Sequence, residues 1–125
     1  MAKTLITNGT VVTATETMHA DVVIEDERVV ALVQSGAMDV VADTVIDAAG
    51  KYVMPGGIDV HTHMELPFGG TFAADTFETG TRAAAWGGTT TIVDFAVQVK
   101  GESAMEGYEK WMAKADGNCA IDYGF

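Results

Sequence analysis

Cysteine is nearly absent from this chain: one thiol, Cys119, stands among 125 residues. No disulfide can form within it, and such usage fits a reducing cytoplasm. Cys119 itself reads as a small buried apolar residue. Positive charge is scarce as well. Seven Lys and Arg face 18 Asp and Glu, a formal net charge of −11. That charge repels phosphate backbones and anionic lipid, so neither nucleic acid nor a membrane is expected as a partner. No apolar run approaches the roughly 18 residues of a membrane helix. The opening MAKTLITNGT lacks the apolar stretch of a secretion signal. The expectation is a soluble cytoplasmic protein. What is present, 48% hydrophobic and 20% charged residues, is a globular composition.

The first part of the chain alternates short β-prone runs with turns. Thr4–Thr7 is followed by Asn8-Gly9, a strong turn dipeptide, and Thr10–Ala14 resumes the run. Asp21–Glu25 and Val29–Val33 flank the polar Asp26-Glu27-Arg28 in a hairpin pattern. Val45-Ile46-Asp47 adds a strand, and Ala48-Ala49-Gly50 turns the chain. Residues 1–54 read as a small antiparallel β unit.

The pattern changes at Pro55-Gly56-Gly57. Ile58–His63 is a strand candidate, and Met64–Asp75, with Pro67, Gly69 and Gly70, is a loop. Thr76–Trp86 is rich in helix formers, with Asp75 as candidate N-cap and Gly87-Gly88 as the stop. Thr89–Val97 is a β-branched strand. Ser103–Ala115 opens with the capping box Ser103-Ala104-Met105-Glu106 and places Met105, Tyr108, Met112 and Ala115 on one face, the expected core side, with Trp111 beside it. Cys119–Phe125 begins another strand. The order from residue 55 is β-loop-α-β-α-β, which argues for parallel strands with crossover helices. A complete (β/α)8 barrel needs about 250 residues. Residues 55–125 are therefore expected to be its opening, and the chain the N-terminal part of a longer polypeptide.

Within "VMPGGIDVHTH", Val53–His63, two histidines stand two residues apart. On a strand, alternation puts His61, His63 and Asp59 on one face. Neutral imidazoles so spaced can converge on one borderline cation such as zinc. Asp59, further back, is placed to orient a ligand or hold the strand's surroundings. The pair sits near the C-terminal end of its strand, where parallel sheets build sites. Spacing alone leaves open a hydrogen-bonded structural pair. His19 has no such partner and reads as uninvolved.

The stretch "GKYVMPGGIDVHTHMELPFGGTFAADTFETGTRAAAWGGTTTIVDF" resembles the start of the barrel in the amidohydrolase superfamily, and within it the hydantoinase/dihydropyrimidinase family. The P-G-x-I-D-x-H-x-H string carries the superfamily likeness; "PFGGT", "DTFETGTRAAAWGGTTTIVDF" and "DYGF" carry the narrower one. The fold class this implies is α/β: the start of a (β/α)8 TIM-like barrel preceded by part of a small β-sandwich domain, whose remaining strands lie elsewhere. The resemblance implies a cyclic amidohydrolase using two divalent metal ions, usually zinc. It opens a hydantoin or dihydropyrimidine ring to an N-carbamoyl amino acid, in an enzyme that tends to form tetramers. It makes His61 and His63 metal ligands. The other ligands it implies, a carboxylated lysine, two further histidines and an aspartate that also moves the proton, have no counterpart among these residues, so activity of the 125 residues alone is not expected. The Met64–Thr71 loop, with Met64, Leu66 and Phe68, is implied to line the pocket for the ring substituent.

Other features read plainly. Asp94 is expected to be a buried, hydrogen-bonded carboxylate, and Glu25-Asp26-Glu27 a solvated turn. Allantoinase and dihydroorotase remain alternatives, disfavoured by "PFGGT". So does a non-catalytic dihydropyrimidinase-like assembly protein, disfavoured by the intact histidine pair.

Overall fold

The structure is a computed structural model that describes residues 2–125. The chain divides into two compact units, Met1–Pro55 and Gly56–Phe125.

In the first unit, β1 (Lys3–Thr7), β2 (Thr10–Val12), β3 (Thr17–Glu25), β4 (Arg28–Gln34), β5 (Thr44–Asp47) and β6 (Tyr52–Val53) form one six-stranded sheet. β1 and β2 pair successive stretches of β3, Ile6 opposite Val22 and Thr10 opposite His19, while β4 completes the hairpin. The Asn8-Gly9 link lets the chain bend between them, Asn8 taking φ 61°. The unit is not purely antiparallel as expected. β5 runs parallel to β1 and β6 parallel to β2. Alternation in a sequence marks strands but not their direction, and the 35–43 link is long enough to carry the chain back. Period-two residues of β3 form the core of one face: Ala20 and Val22 are buried with Val11, and Met18, Ile24, Ile6 and Val53 pack against them. Much of this face stays open as an apolar groove of about 350 Å³, lined by Ile6, Val22, Ile24, Leu32 and Val53 among others.

Several acidic side chains here accept from loose main-chain N–H groups. Asp21 takes Asn8 and Gly36, and the Ser35 hydroxyl besides; Asp43 takes Lys3; Asp26 takes Ala2. Asp47 accepts from the Asn8 amide and the Ala49 N–H, and those bonds, the first above all, hold its carboxyl below its ordinary value.

In the second unit, β7 (Gly57–Thr62) is followed by the two-residue strands β8 (Pro67–Phe68) and β9 (Thr71–Phe72), which pair as a small hairpin. Then come α1 (Phe77–Trp86), β10 (Thr89–Asp94), α2 (Ala104–Ala115) and β11 (Asp122–Gly124). The three longer-range strands form a parallel sheet in the order β11-β10-β7, with neighbours in space also successive in the chain. The core on its helix side is Phe77, Ile92, Trp111 and Ala115.

Both helices begin with reciprocal capping boxes. For α1 the cap is Thr76, paired with Thr79, and not Asp75 as the sequence suggested; Asp75 instead accepts from the Thr79 hydroxyl. α1 ends at Gly87, and Gly88 takes φ 84° to re-aim the chain into β10. For α2, Ser103 accepts from the Glu106 N–H at 3.2 Å while Glu106 accepts from the Ser103 N–H at 2.7 Å. The buried line of α2 also differs from expectation. It is Gly107, Trp111 and Ala115, at steps of four, whereas Met105 is 62% and Tyr108 43% exposed. Glycine scores as nothing in a hydrophobic count, yet Gly107 faces the main chain of Ala96 and Gln98, where a methyl group would make ordinary contact at 3.6–3.8 Å.

The Glu106 carboxyl is held below its ordinary value, first by the Ser103 N–H and then by its hydroxyl. A carboxylate with a depressed folded value stabilises above its unfolded value and loses that contribution as pH falls through the folded one. Ser103→Ala, which removes the N-cap hydroxyl and its bond to Glu106, should lower stability at neutral pH, with a smaller difference from wild type in strong acid. Urea unfolding of both proteins across the acid range measures this; a pH-independent difference would show that the bond from the Ser103 hydroxyl to Glu106 contributes nothing.

Candidate metal centre

β7 ends at Thr62, so His63 lies one residue past the ladder. The two imidazoles nevertheless converge: their rings meet edge-on at 5.0 Å, with His61 Nε2 and His63 Nε2 only 3.2 Å apart. Two nitrogens bound to one tetrahedral zinc at about 2.0–2.1 Å each stand about 3.3–3.4 Å from one another. The separation thus fits two lone pairs aimed at a shared cation. It also fits one neutral ring donating its Nε2–H to the other, so the pair is arranged for either state without moving its main chain. Among the described residues no third His, Cys, Asp or Glu joins them. The pair supplies two donors of the four that a tetrahedral site needs.

The route to this convergence is not simple alternation. Asp59 pairs with Ile92 and Thr62 with Asp94, so β7 carries one extra residue against β10 between these points. Such irregularities re-aim side chains near strand ends. Strand periodicity therefore does not by itself carry Asp59 to the imidazoles. Its carboxylate folds back to accept the main-chain N–H of His61 at 3.1 Å. That contact steadies the main chain of a candidate ligand, not its ring.

Phe95 was not singled out in the sequence. Its ring lies 4.6 Å from that of His61 and 5.4 Å from that of His63, walling the pair on one side. The available signal was topological: β7 and β10 are parallel neighbours, so their C-terminal ends meet, and Phe95 follows the last residue of β10. Asp94 is buried and accepts four hydrogen bonds, the structural carboxylate expected.

The loop residues separate. Met64 and Leu66 pack against the Phe77 core, Met64 lying where a side chain on Gly80 would collide with it. Phe68 sits on the β8–β9 hairpin and is 80% exposed. The loop's base is tied down by Glu65, whose carbonyl accepts from Lys114 and whose N–H donates to the Asp75 carbonyl. His19 is exposed on β3, in the other unit. Cys119 packs at the edge of the Phe77 core; burial, and then the charge of Asp94, raise its thiol above the ordinary value, which disfavours the thiolate. Among the described residues no helix is long and apolar enough to cross a membrane.

The sequence pattern of the amidohydrolase family matches residues 44–117. The D-hydantoinase of Streptomyces coelicolor is 66% identical over 127 residues, covering 99% of this chain and 27% of that protein. The dihydropyrimidinase of Rattus norvegicus is 46% identical over 126 residues, covering 95% of this chain and 24% of its own. The crystal structure of dihydropyrimidinase from Brevibacillus agri NCHU1002 superimposes with a TM-score of 0.93 at 55% identity, over 98% of this chain and 26% of that one. The chain spans about a quarter of the length of the relatives it matches. With the family pattern covering more than half its residues and near-complete alignment to D-hydantoinases and dihydropyrimidinases, the chain belongs to the amidohydrolase family.

Proposed function

We propose that the intact protein is a metal-dependent cyclic amidohydrolase of the hydantoinase/dihydropyrimidinase type, opening a hydantoin or dihydropyrimidine ring to an N-carbamoyl amino acid. The observation that carries this is the 3.2 Å approach of the His61 and His63 Nε2 atoms at the C-terminal end of a parallel strand. The similarity to named D-hydantoinases and dihydropyrimidinases supports the substrate class. The proposed cofactor is two divalent metal ions, zinc suiting imidazole donors. Bound there, such ions polarise the ring carbonyl and bring the pKa of water towards about 7.

This chain's residues do the holding. His61 and His63 present neutral Nε2 lone pairs, Asp59 steadies the main chain at His61, and Phe95 keeps water from one side of the rings. None of them is assigned to proton transfer. Phe68, exposed and apolar on the loop that follows this centre in the chain, receives the substituent of the ring, with Met64 and Leu66 shaping its loop from the core side.

Residues 1–54 are proposed to be one part of a β-sandwich, for which the open apolar groove on their sheet is the support. Residues 55–125 are proposed to begin a (β/α)8 barrel, supported by their parallel sheet in sequential strand order. Cytoplasmic residence rests on the single cysteine, and a homotetramer on the family resemblance.

The test is ring opening of hydantoin and dihydrouracil by the intact protein, with metal content measured alongside. Turnover that a chelator abolishes and zinc restores is expected. A metal-loaded protein that opens neither ring, or a metal-free one at full rate, overturns the proposal. In the same assay Phe68→Ala should change the kcat/KM ratio between alkyl- and aryl-substituted hydantoins about tenfold. An unchanged ratio would reduce Phe68 to loop packing.

A further inference from the structure

His63 lies beyond the last paired residue of β7, where the sheet no longer fixes the main chain. Something else must hold it, and the structure shows what does. Asp94, at the end of β10 and 1% exposed, turns its two oxygens in two directions. Oδ2 accepts from the Thr62 hydroxyl at 2.9 Å and from the Met64 N–H at 2.8 Å. These are the residues immediately before and after His63. Oδ1 accepts from the Phe95 N–H at 2.8 Å and from the Trp111 indole N–H at 3.2 Å. Phe95 in turn stacks against both imidazoles. A buried carboxylate with four donors cannot shift without leaving one of them unmatched, and the indole, part of the core, anchors it to α2.

Resting on the metal-centre reading above, we infer that Asp94 is a positioning residue for the histidine pair. Through Thr62 and Met64 it clamps the main chain on both sides of His63, and through Phe95 it backs both rings, so the two Nε2 atoms stand at chelating separation before any metal arrives. Asp94 touches neither ring nor metal; its effect is preorganisation. A carboxylate with a purely structural role would serve its four donors alike. A positioning carboxylate acts through the bonds on the histidine side, those that Oδ2 accepts from Thr62 and Met64 and that Oδ1 accepts from Phe95.

The two roles separate by substitution in the intact protein, with zinc affinity measured by chelator competition and the visible spectrum of bound cobalt(II) reporting ligand geometry. Thr62→Val removes one bond on the histidine side; Trp111→Phe removes one on the helix side. Thr62→Val and Asp94→Asn are expected to weaken zinc binding about 10–100-fold and alter the cobalt spectrum. Trp111→Phe is expected to lower the melting temperature while leaving affinity and spectrum as in the wild type. Should Asp94→Asn fail to fold, Thr62→Val carries the test. Wild-type affinity and spectrum in folded Thr62→Val would overturn the inference, as would an equal loss of affinity in Trp111→Phe. His61→Ala run alongside keeps the two levels apart: if it too retains its metal, the metal centre itself is refuted, whereas metal lost there and kept in Thr62→Val refutes only the positioning role.

Discussion

Replacing His61 by alanine in the intact protein is expected to lower zinc affinity more than about 100-fold, since changes merely behind a ligand already cost about 10–100-fold. Ring opening should fall with it. The reasoning is geometric. The two Nε2 atoms stand 3.2 Å apart, so they act as one bidentate group, and one imidazole alone cannot replace the second donor. His63→Ala should therefore cost about as much as His61→Ala, and the double variant little more than either, the non-additivity of residues acting as a unit. His19→Ala, on an exposed strand position of the other unit, should change nothing. Elemental analysis of the dialysed proteins, with turnover measured in parallel, decides the matter. Full metal content in both single variants would mean the imidazoles are only hydrogen-bonded to one another.

The second large effect concerns stability. Phe77→Ala should destabilise the intact protein by about 3–5 kcal/mol, a large share of the roughly 5–15 kcal/mol that a typical domain has. Phe77 is 0% exposed and meets Ile92, Trp111 and Ala115 in a core of only four buried apolar side chains among the described residues of its unit. Its ring also approaches that of Phe125 edge-on at 6.1 Å. Phe77 is the first residue of α1, so its loss empties the point where that helix meets the sheet. Phe72→Ala, at an exposed hairpin position, should stay within about 0.5 kcal/mol of wild type. Urea midpoints for the three proteins provide the comparison. A Phe77→Ala loss below that of Phe72→Ala would show that the cluster does not hold the unit together.

Much of this was legible from local pattern. Asn8-Gly9, the Asp21–Glu25 and Val29–Val33 runs, the Ser103 capping box and the helix-stopping glycines all signal through chemistry a few residues long, and each lies where it was expected. The strand direction of β5 and β6 was not legible, because parallel and antiparallel neighbours use the same residue types. Nor was the buried line of α2, where Gly107 lies on the buried side although no hydrophobic pattern marks a glycine. At the candidate centre the histidine pair announced itself by its spacing, but Phe95 did not, since its contact with the rings crosses from one strand to another.

By itself the sequence determined both helices and most of the longer strands, though not the two-residue strands β6, β8 and β9, and which two imidazoles share one short stretch, since these depend on side-chain chemistry repeated over a few positions. Only the tertiary structure decided that the stretch carries an extra residue against its neighbour, that Asp59 turns to the main chain, and that Asp94 grips both flanks of His63. The Asp94 contacts join residues about thirty positions apart. The spacing of residues along one strand cannot encode which group the adjacent strand and the helix behind it will bring within hydrogen-bonding reach.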